Sequence, residues 1–216
     1  MNNKIIDIEK VATYIKSGMS IMIGGFLGNG NPIKVIDFLL NLPINNLTII
    51  SNDTAMPDVG IGKLIVNKQV KKVITSHIGT NPITGEMMTN GELEVEFVPQ
   101  GTLAERIRCA GAGLGGCLTK TGLGTVIAEN KRIINIEGTD YLLELPLRAD
   151  VALLCASVAD EQGNLFYKGT SQNFNPIMAT AADIVFAEVE QLVKIGDILP
   201  ETVHTPAIFV DYLVIA

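Results

Sequence analysis

Directly after the apolar run Ile21-Met22-Ile23, four glycines and a proline (Gly24, Gly25, Gly28, Gly30 and Pro32) fall within nine residues, with the aromatic Phe26 among them. Glycine loses more conformational freedom on folding than any other residue, so such a cluster implies positive φ angles or a ligand lying against bare main chain. The run before it reads as a strand. Asn31-Pro32 reads as a helix N-cap followed by proline at the first helical position, and Ile33, Ile36, Phe38 and Leu39 continue the apolar side of that helix. A strand, a glycine loop and a helix N-terminus together make an anion site. Residues 47–51 form a second apolar run, so the order strand, loop, helix, strand implies a right-handed crossover and a parallel pair.

The alternation continues. Residues 8–17 have helical spacing (Ile8, Val11, Ala12, Ile15) and stop at Gly18, a natural residue just past a helix. A short helix is expected near 60–67, strands over 72–76 and 94–98, and an amphipathic helix over 102–110. Residues 111–124 are rich in Gly and Thr without periodicity and read as a long irregular loop. Residues 132–136 and 141–145 flank Glu137-Gly138-Thr139-Asp140 as a hairpin that leans on the main sheet. Further strands are read over 151–157, 184–188 and 207–214, with a helix starting at Pro176 and capped by Asn175. No repeat or linker is evident. The expected fold is therefore α/β, a mainly parallel sheet with helices on both faces and a small β-hairpin addition, in a single domain over residues 1–216.

Composition agrees with that class. A chain of 216 residues is long enough to bury on the order of 70% of its unfolded surface. It is 47% apolar without tryptophan, so its core is built from Ile, Val, Leu and Ala, as a buried parallel sheet requires. The net charge of −7 argues against nucleic acid, and Lys68, Lys71 and Lys72 read as a solvated face. Cys109, Cys117 and Cys155 have no histidine at metal spacing, which implies no metal and a reducing compartment. Asp7 and Glu9 stand where a signal peptide needs an apolar core, and no stretch approaches the roughly 20 apolar residues of a membrane span. A cytoplasmic protein without a membrane partner is expected.

Chemistry-bearing motifs are few. Gly111-x-Gly113-x-x-Gly116 with Glu137 downstream matches a dinucleotide fingerprint, but a helix precedes it and no helix follows, so its context rejects it. The loop at 24–32 has neither that spacing nor a terminal Gly-Lys-Ser/Thr. His77 ends a strand and His204 precedes Thr205-Pro206. Neither has an evident nucleophile partner, and each reads as structural or surface. Glu144 and Glu188 lie in apolar settings, and Asp53 and Asp58 in a loop, where satisfied structural roles are the commoner case. Gln100 stands just past Pro99, at the C-terminal end of a parallel strand, where ligands bind. The residues leave two readings of it open, an oxyanion donor and a helix-start polar residue. Asn52 lies on the same edge by the same reasoning.

The segment Gly18-Met19-Ser20-Ile21-Met22-Ile23-Gly24-Gly25-Phe26, followed by Gly30-x-Pro32, resembles a signature of the α subunits of type I (3-oxoacid) coenzyme A transferases. The family usually has an acidic residue or Asn before the first glycine; here it is Ser17. Ser51-Asn52-Asp53-Thr54, Ser76-His77-Ile78-Gly79-Thr80-Asn81-Pro82, Val98-Pro99-Gln100-Gly101-Thr102-Leu103 and Asn173-Phe174-Asn175-Pro176 resemble the same family in order, nearly end to end. The likeness is strongest to two-subunit acetate/butyrate–acetoacetate CoA-transferases. It implies a ping-pong exchange of coenzyme A between short-chain acids, through a glutamate carried by a separate β subunit in an α2β2 assembly. Coenzyme A is then a substrate, and no other cofactor is implied. The resemblance further implies that Gln100 stabilises the oxyanion, and that Gly24, Gly25, Phe26, Gly28, Gly30, Pro32 and Asn52 line the acyl site. Two other readings remain in view: a non-catalytic domain of this fold binding an acyl-CoA or a sugar phosphate, and an isomerase-like enzyme using Asp58 or Glu144 as base.

Overall fold

The computed structural model describes residues 4–216. A 3-10 helix at Ile8–Thr13 is followed by β1 (Ser20–Ile23), α1 (Ile33–Leu39), β2 (Leu47–Ile50), α2 (Ile61–Val66), β3 (Val70–Thr75), α3 (Pro82–Thr89), β4 (Glu94–Phe97) and α4 (Gln100–Gly111). Then come β5 (Cys117–Thr119), β6 (Ile133–Ile136), β7 (Thr139–Glu144), β8 (Ala149–Asp160), β9 (Leu165–Phe166), α5 (Asn175–Met178), β10 (Ala182–Val193) and β11 (Tyr212–Ile215). The main sheet has eight strands in the order β11-β10-β8-β1-β2-β3-β4, all parallel except β9, which pairs antiparallel with β8.

Because side chains alternate across a strand, each parallel strand feeds two cores. Ile21 and Ile23 join Ile49, Val73 and Leu153 on one face, covered by Val35, Ile36 and Leu39 of α1 and Leu64 and Ile65 of α2. Met22 joins Ile50, Ile74 and Leu154 on the other, under Leu103 and Ile107 of α4 and Met178 of α5. Helices on both faces of a mainly parallel sheet are what the apolar runs required.

Several local expectations change. The helix expected over 8–17 is a 3-10 helix that stops at Thr13. Residues 111–124 are not one loop, because β5 lies within them and pairs with β7. The hairpin β6–β7 is present, with Glu137 and Gly138 both at positive φ (49° and 79°), as a tight primed turn demands. It is the larger part of a three-stranded sheet, β5-β7-β6, attached to α4 by Leu147 N–H to Arg106 C=O and Arg106 Nε–H to Leu145 C=O, both 3.0 Å. Strand β11 begins only at Tyr212, since Ala207–Phe209 is a 3-10 turn. Helix α3 was not anticipated, although Asn81-Pro82 opens it by the very capping pattern read at Asn31-Pro32: Asn81 Oδ1 accepts from Thr84 N–H. Among the described residues, no helix is long and apolar enough to cross a membrane, and no cluster of three potential metal ligands occurs.

Candidate active site

Four neighbouring strands end at one cavity of about 360 Å³. Phe26 and Leu27 enter it from the turn after β1, Asn52 and Asp53 from the end of β2, Ser76, His77 and Thr80 from the end of β3, and Gln100 from the start of α4 after β4. This is the carboxyl edge of a parallel sheet, where open main-chain ends and helix starts leave room for a ligand. The two polar residues picked out by that reasoning meet: Gln100 Nε2 donates to Asn52 Oδ1 at 2.7 Å. Asn52 is itself fixed, its Nδ2 donating to Asp53 Oδ2 at 2.7 Å, and Asp53 also accepts from Leu27 N–H (2.9 Å) and Ala55 N–H (2.7 Å). Asp53 is 3% exposed, so these three donors rather than water satisfy its oxygens. Ala55 takes φ +51° to bring its amide there. The other N–H and the carbonyl of the exposed Gln100 side chain take no part in this network.

The glycine loop is built for protein contacts. Residues 26–29 form a two-residue hairpin, with Phe26 and Asn29 exchanging main-chain bonds at 2.9 Å and Leu27 (φ +50°) and Gly28 (φ +86°) at its tip. Around that tip, asparagine side chains occupy the space that glycine leaves. A Cβ on Gly24 would lie 1.9 Å from Asn175 Oδ1, and one on Gly25 1.9 Å from Asn31 Nδ2. Asn31 Nδ2 donates to Gly24 C=O (2.6 Å), Gly25 N–H donates to Asn173 Oδ1 (3.0 Å), and Asn175 Nδ2 donates to Gly30 C=O (3.1 Å). Gly28 meets Val59, and Gly30 meets the carbonyl of Ser171. Of the loop residues read as acyl-site lining, Phe26 faces open space at 44% exposed, while Gly24, Gly25 and Pro32 are buried.

The expected helix cap and anion site are corrected by the same contacts. Pro32 precedes α1 as its cap, and Asn31 makes no cap bond because its amide is spent on Gly24 and on Ile61 N–H. The free amides at the start of α1 already have an anion of this chain: Glu188 Oε2 accepts from Val35 N–H at 2.8 Å. Burial pushes the Glu188 carboxyl above the ordinary carboxylate range, and the amides of Val35 and Lys34 offset that only in part. At α5, Asn175 is likewise no cap; it is the first helical residue and holds the glycine loop.

Phe26 and Leu27 also wall a second, more open groove of about 860 Å³, whose far side is Thr170, Gln172, Asn173 and Ile177. The hairpin thus divides a polar cavity over β2–β4 from a groove over the segment between β9 and α5. Asp53, His77 and Leu27 line the cavity as well; Asp53 and His77 stand, like Asn52, just past a parallel strand, and Asp53 has the satisfied structural role read for it. Other candidates lie elsewhere. Asp58 is exposed and lines neither space, and Glu144 is buried against Lys131 at 2.6 Å in a small recess beside α4. His204 is structural, stacked on Phe166 at 4.8 Å and accepting from Tyr167 N–H. Burial pushes the thiols of Cys117 and Cys155 up to about 11 and about 12, which keeps both in the unreactive neutral form.

The model of the family described as Coenzyme A transferase matches residues 5–216. The chain is 60% identical over 214 residues to the acetoacetyl-CoA:acetate/butyrate CoA transferase alpha subunit of Clostridium acetobutylicum, covering 99% of this chain and 98% of that one. It is 49% identical over 216 residues to the acetate CoA-transferase subunit alpha of Escherichia coli K12, again covering 98% of the relative. Among solved structures, an acyl-CoA transferase from E. coli O157:H7 superposes with a TM-score of 0.86 at 20% identity; 99% of this chain matches 47% of that longer one.

Proposed function

The chain belongs to the coenzyme A transferase family, and from that premise we propose that it is the α subunit of a cytoplasmic α2β2 enzyme. The complex exchanges coenzyme A between short-chain acyl-CoA or acetoacetyl-CoA and acids such as acetate, butyrate or acetoacetate. The observation that carries this reading is the 60% identity, over nearly the whole of both chains, to a subunit whose name states those substrates. The cavity at the ends of β1–β4 supports it, because its polar groups suit an acyl carbonyl and it offers no nucleophile of its own backed by a base.

In this mechanism a carboxylate of the β subunit attacks the thioester carbonyl, the carbonyl oxygen gains charge, and the C–S bond breaks to release coenzyme A thiolate and leave an acyl-glutamyl anhydride. The thiolate then attacks the glutamyl carbonyl, expelling the first acid as its carboxylate and forming a glutamyl thioester. The second acid's carboxylate attacks the glutamyl carbonyl of that thioester, breaking its C–S bond to release thiolate and form a new acyl-glutamyl anhydride; the thiolate then attacks the new acyl carbonyl, forming the product thioester and expelling the glutamate as its carboxylate. Gln100, braced by Asn52, offers its remaining N–H to the charged oxygen, a contribution of roughly 3 kcal/mol where such donors are well placed. Phe26 covers the anhydride against water. The glycines act one step removed, by letting Asn31, Asn173 and Asn175 fix the hairpin that carries Phe26. Residues 1–216 work as one domain in this scheme.

The test is expression of this chain alone and together with its β partner. Transferase activity is expected only from the complex, and Gln100→Ala should lower kcat about 10²-fold while assembly by gel filtration is unchanged. Activity from the chain alone overturns the assignment of the nucleophile to the partner. A complex that binds acyl-CoA saturably without turnover instead supports a binding domain.

A further inference from the structure

We propose that His77 is the residue that reads the 3-oxo group of an acetoacetyl chain, selecting it over an unsubstituted acyl chain of the same length. The assignment rests on the transferase reading above and on how the cavity's hydrogen bonds are distributed. Six polar residues line the cavity: Asn52, Asp53, Ser76, His77, Thr80 and Gln100. Four are committed to the protein. Asp53 accepts from three donors, Asn52 joins Asp53 to Gln100, Ser76 Oγ donates to Asn52 C=O at 2.6 Å, and Thr80 Oγ1 donates to Ala55 C=O at 2.8 Å. Among the cavity's exposed side chains, the polar groups left for a ligand are the second N–H and the carbonyl of Gln100 and the imidazole of His77, whose ring nitrogens have no partner among the described residues.

His77 is exposed, and its ring lies beside Gly79. A Cβ on Gly79 would lie 2.9 Å from His77 Cε1 and 3.2 Å from Nε2, so the imidazole lies over a residue kept free of a side chain. The main chain of His77 is fixed by its bridge to Asp53 and by Thr75 Oγ1, which donates to its carbonyl at 3.4 Å.

Two uncommitted polar groups in one small cavity match a substrate with two carbonyl oxygens. Gln100 takes the carbonyl at the reacting carbon. An acetoacetyl chain carries a second carbonyl two carbons further along, and an imidazole N–H donates to it. A butyryl chain has only CH₂ at that place and gains nothing from His77. The proposed role is recognition, with no covalent step and no proton transfer.

The test uses the complex with its β partner, acetate as acceptor, and acetoacetyl-CoA and butyryl-CoA as alternative donors. His77→Leu should lower the ratio of their kcat/KM values (acetoacetyl over butyryl) about fivefold, the usual scale for losing one neutral hydrogen bond. His77→Gln, which restores an N–H, should recover part of that ratio. A ratio is insensitive to the fraction of correctly folded enzyme. If the wild-type complex transfers from neither donor, the transferase reading falls and the role of His77 with it. If the wild type is active and the ratio stays within about twofold in His77→Leu, only the assignment of His77 is overturned.

Discussion

A methyl group on Gly24 would put its carbon 1.9 Å from Asn175 Oδ1, inside any tolerable contact, and the asparagine cannot retreat without giving up Cys155 N–H and the carbonyls of Gly30 and Ser171. Gly24→Ala is therefore expected to cost about 2–3 kcal/mol, read as a lowered urea midpoint. Gly85, inside α3 with nothing within 4 Å of its missing Cβ, is the contrast: Gly85→Ala should stabilise by about 0.5–1 kcal/mol. The sequence showed that the glycines were crowded but not by what. Asn173 and Asn175 lie some 150 positions away, and no local pattern joins them to Gly25 or Gly30. Asn52 and Gln100 were legible because their positions follow from strand ends alone. The reading of His77 as a structural or surface residue agrees with its exposure; that it lines the cavity beside Gln100 depends on how β3 and α4 come together, which no local pattern shows.

At the level of elements, the central strands β1, β2 and β8 could be read because both of their faces are largely buried and their apolar runs are nearly unbroken. Strands β5, β6 and β7 have only partial burial, and β5 in particular is three residues whose partner lies more than twenty positions on, so it left no periodic trace. The ends of helix α1 were misjudged for a physical reason. A capping residue is recognised by a free side-chain oxygen, and that of Asn31 is engaged with Ile61. The N-terminal amides are served instead by Glu188 from β10. Folded Glu188 holds its proton more tightly than the unfolded chain does. Between the ordinary carboxylate value and the raised one the native state binds more protons, and stability falls as pH rises. The contribution is fully present below the unfolded value and is lost once pH passes the folded one. Glu188→Gln keeps an acceptor for Val35 N–H and should flatten that slope, seen in urea midpoints collected from about pH 4 to 7.

The molecule as a whole consists of a large parallel sheet and a smaller antiparallel one, and Arg106 joins them. Its guanidinium donates to Leu145 C=O beside the small sheet and to Glu96 on β4, and it is only 13% exposed. Burial alone would raise the Glu96 carboxyl, yet the hydrogen bonds from Arg106 and Lys72 outweigh it and hold Glu96 below the usual range. Arg106→Met should cost about 2 kcal/mol and speed amide exchange in β5–β7 selectively, leaving β1, β2 and β8 protected; uniform exchange across both sheets would show that the arginine does not serve as the joint. The order of strands has a further consequence when the chain is made from its N-terminus. Strands β1 to β4 are neighbours in space and in sequence, so they and the residues at their ends can come together once about half of the chain has left the ribosome. The hairpin that divides cavity from groove must wait for Asn173 and Asn175, and β1 stays an open edge until β8 arrives to pair with it. A truncated nascent chain would thus display the polar cavity in a half-built sheet with one edge of its future central strand open, the state in which a chaperone or an aggregating neighbour would meet it.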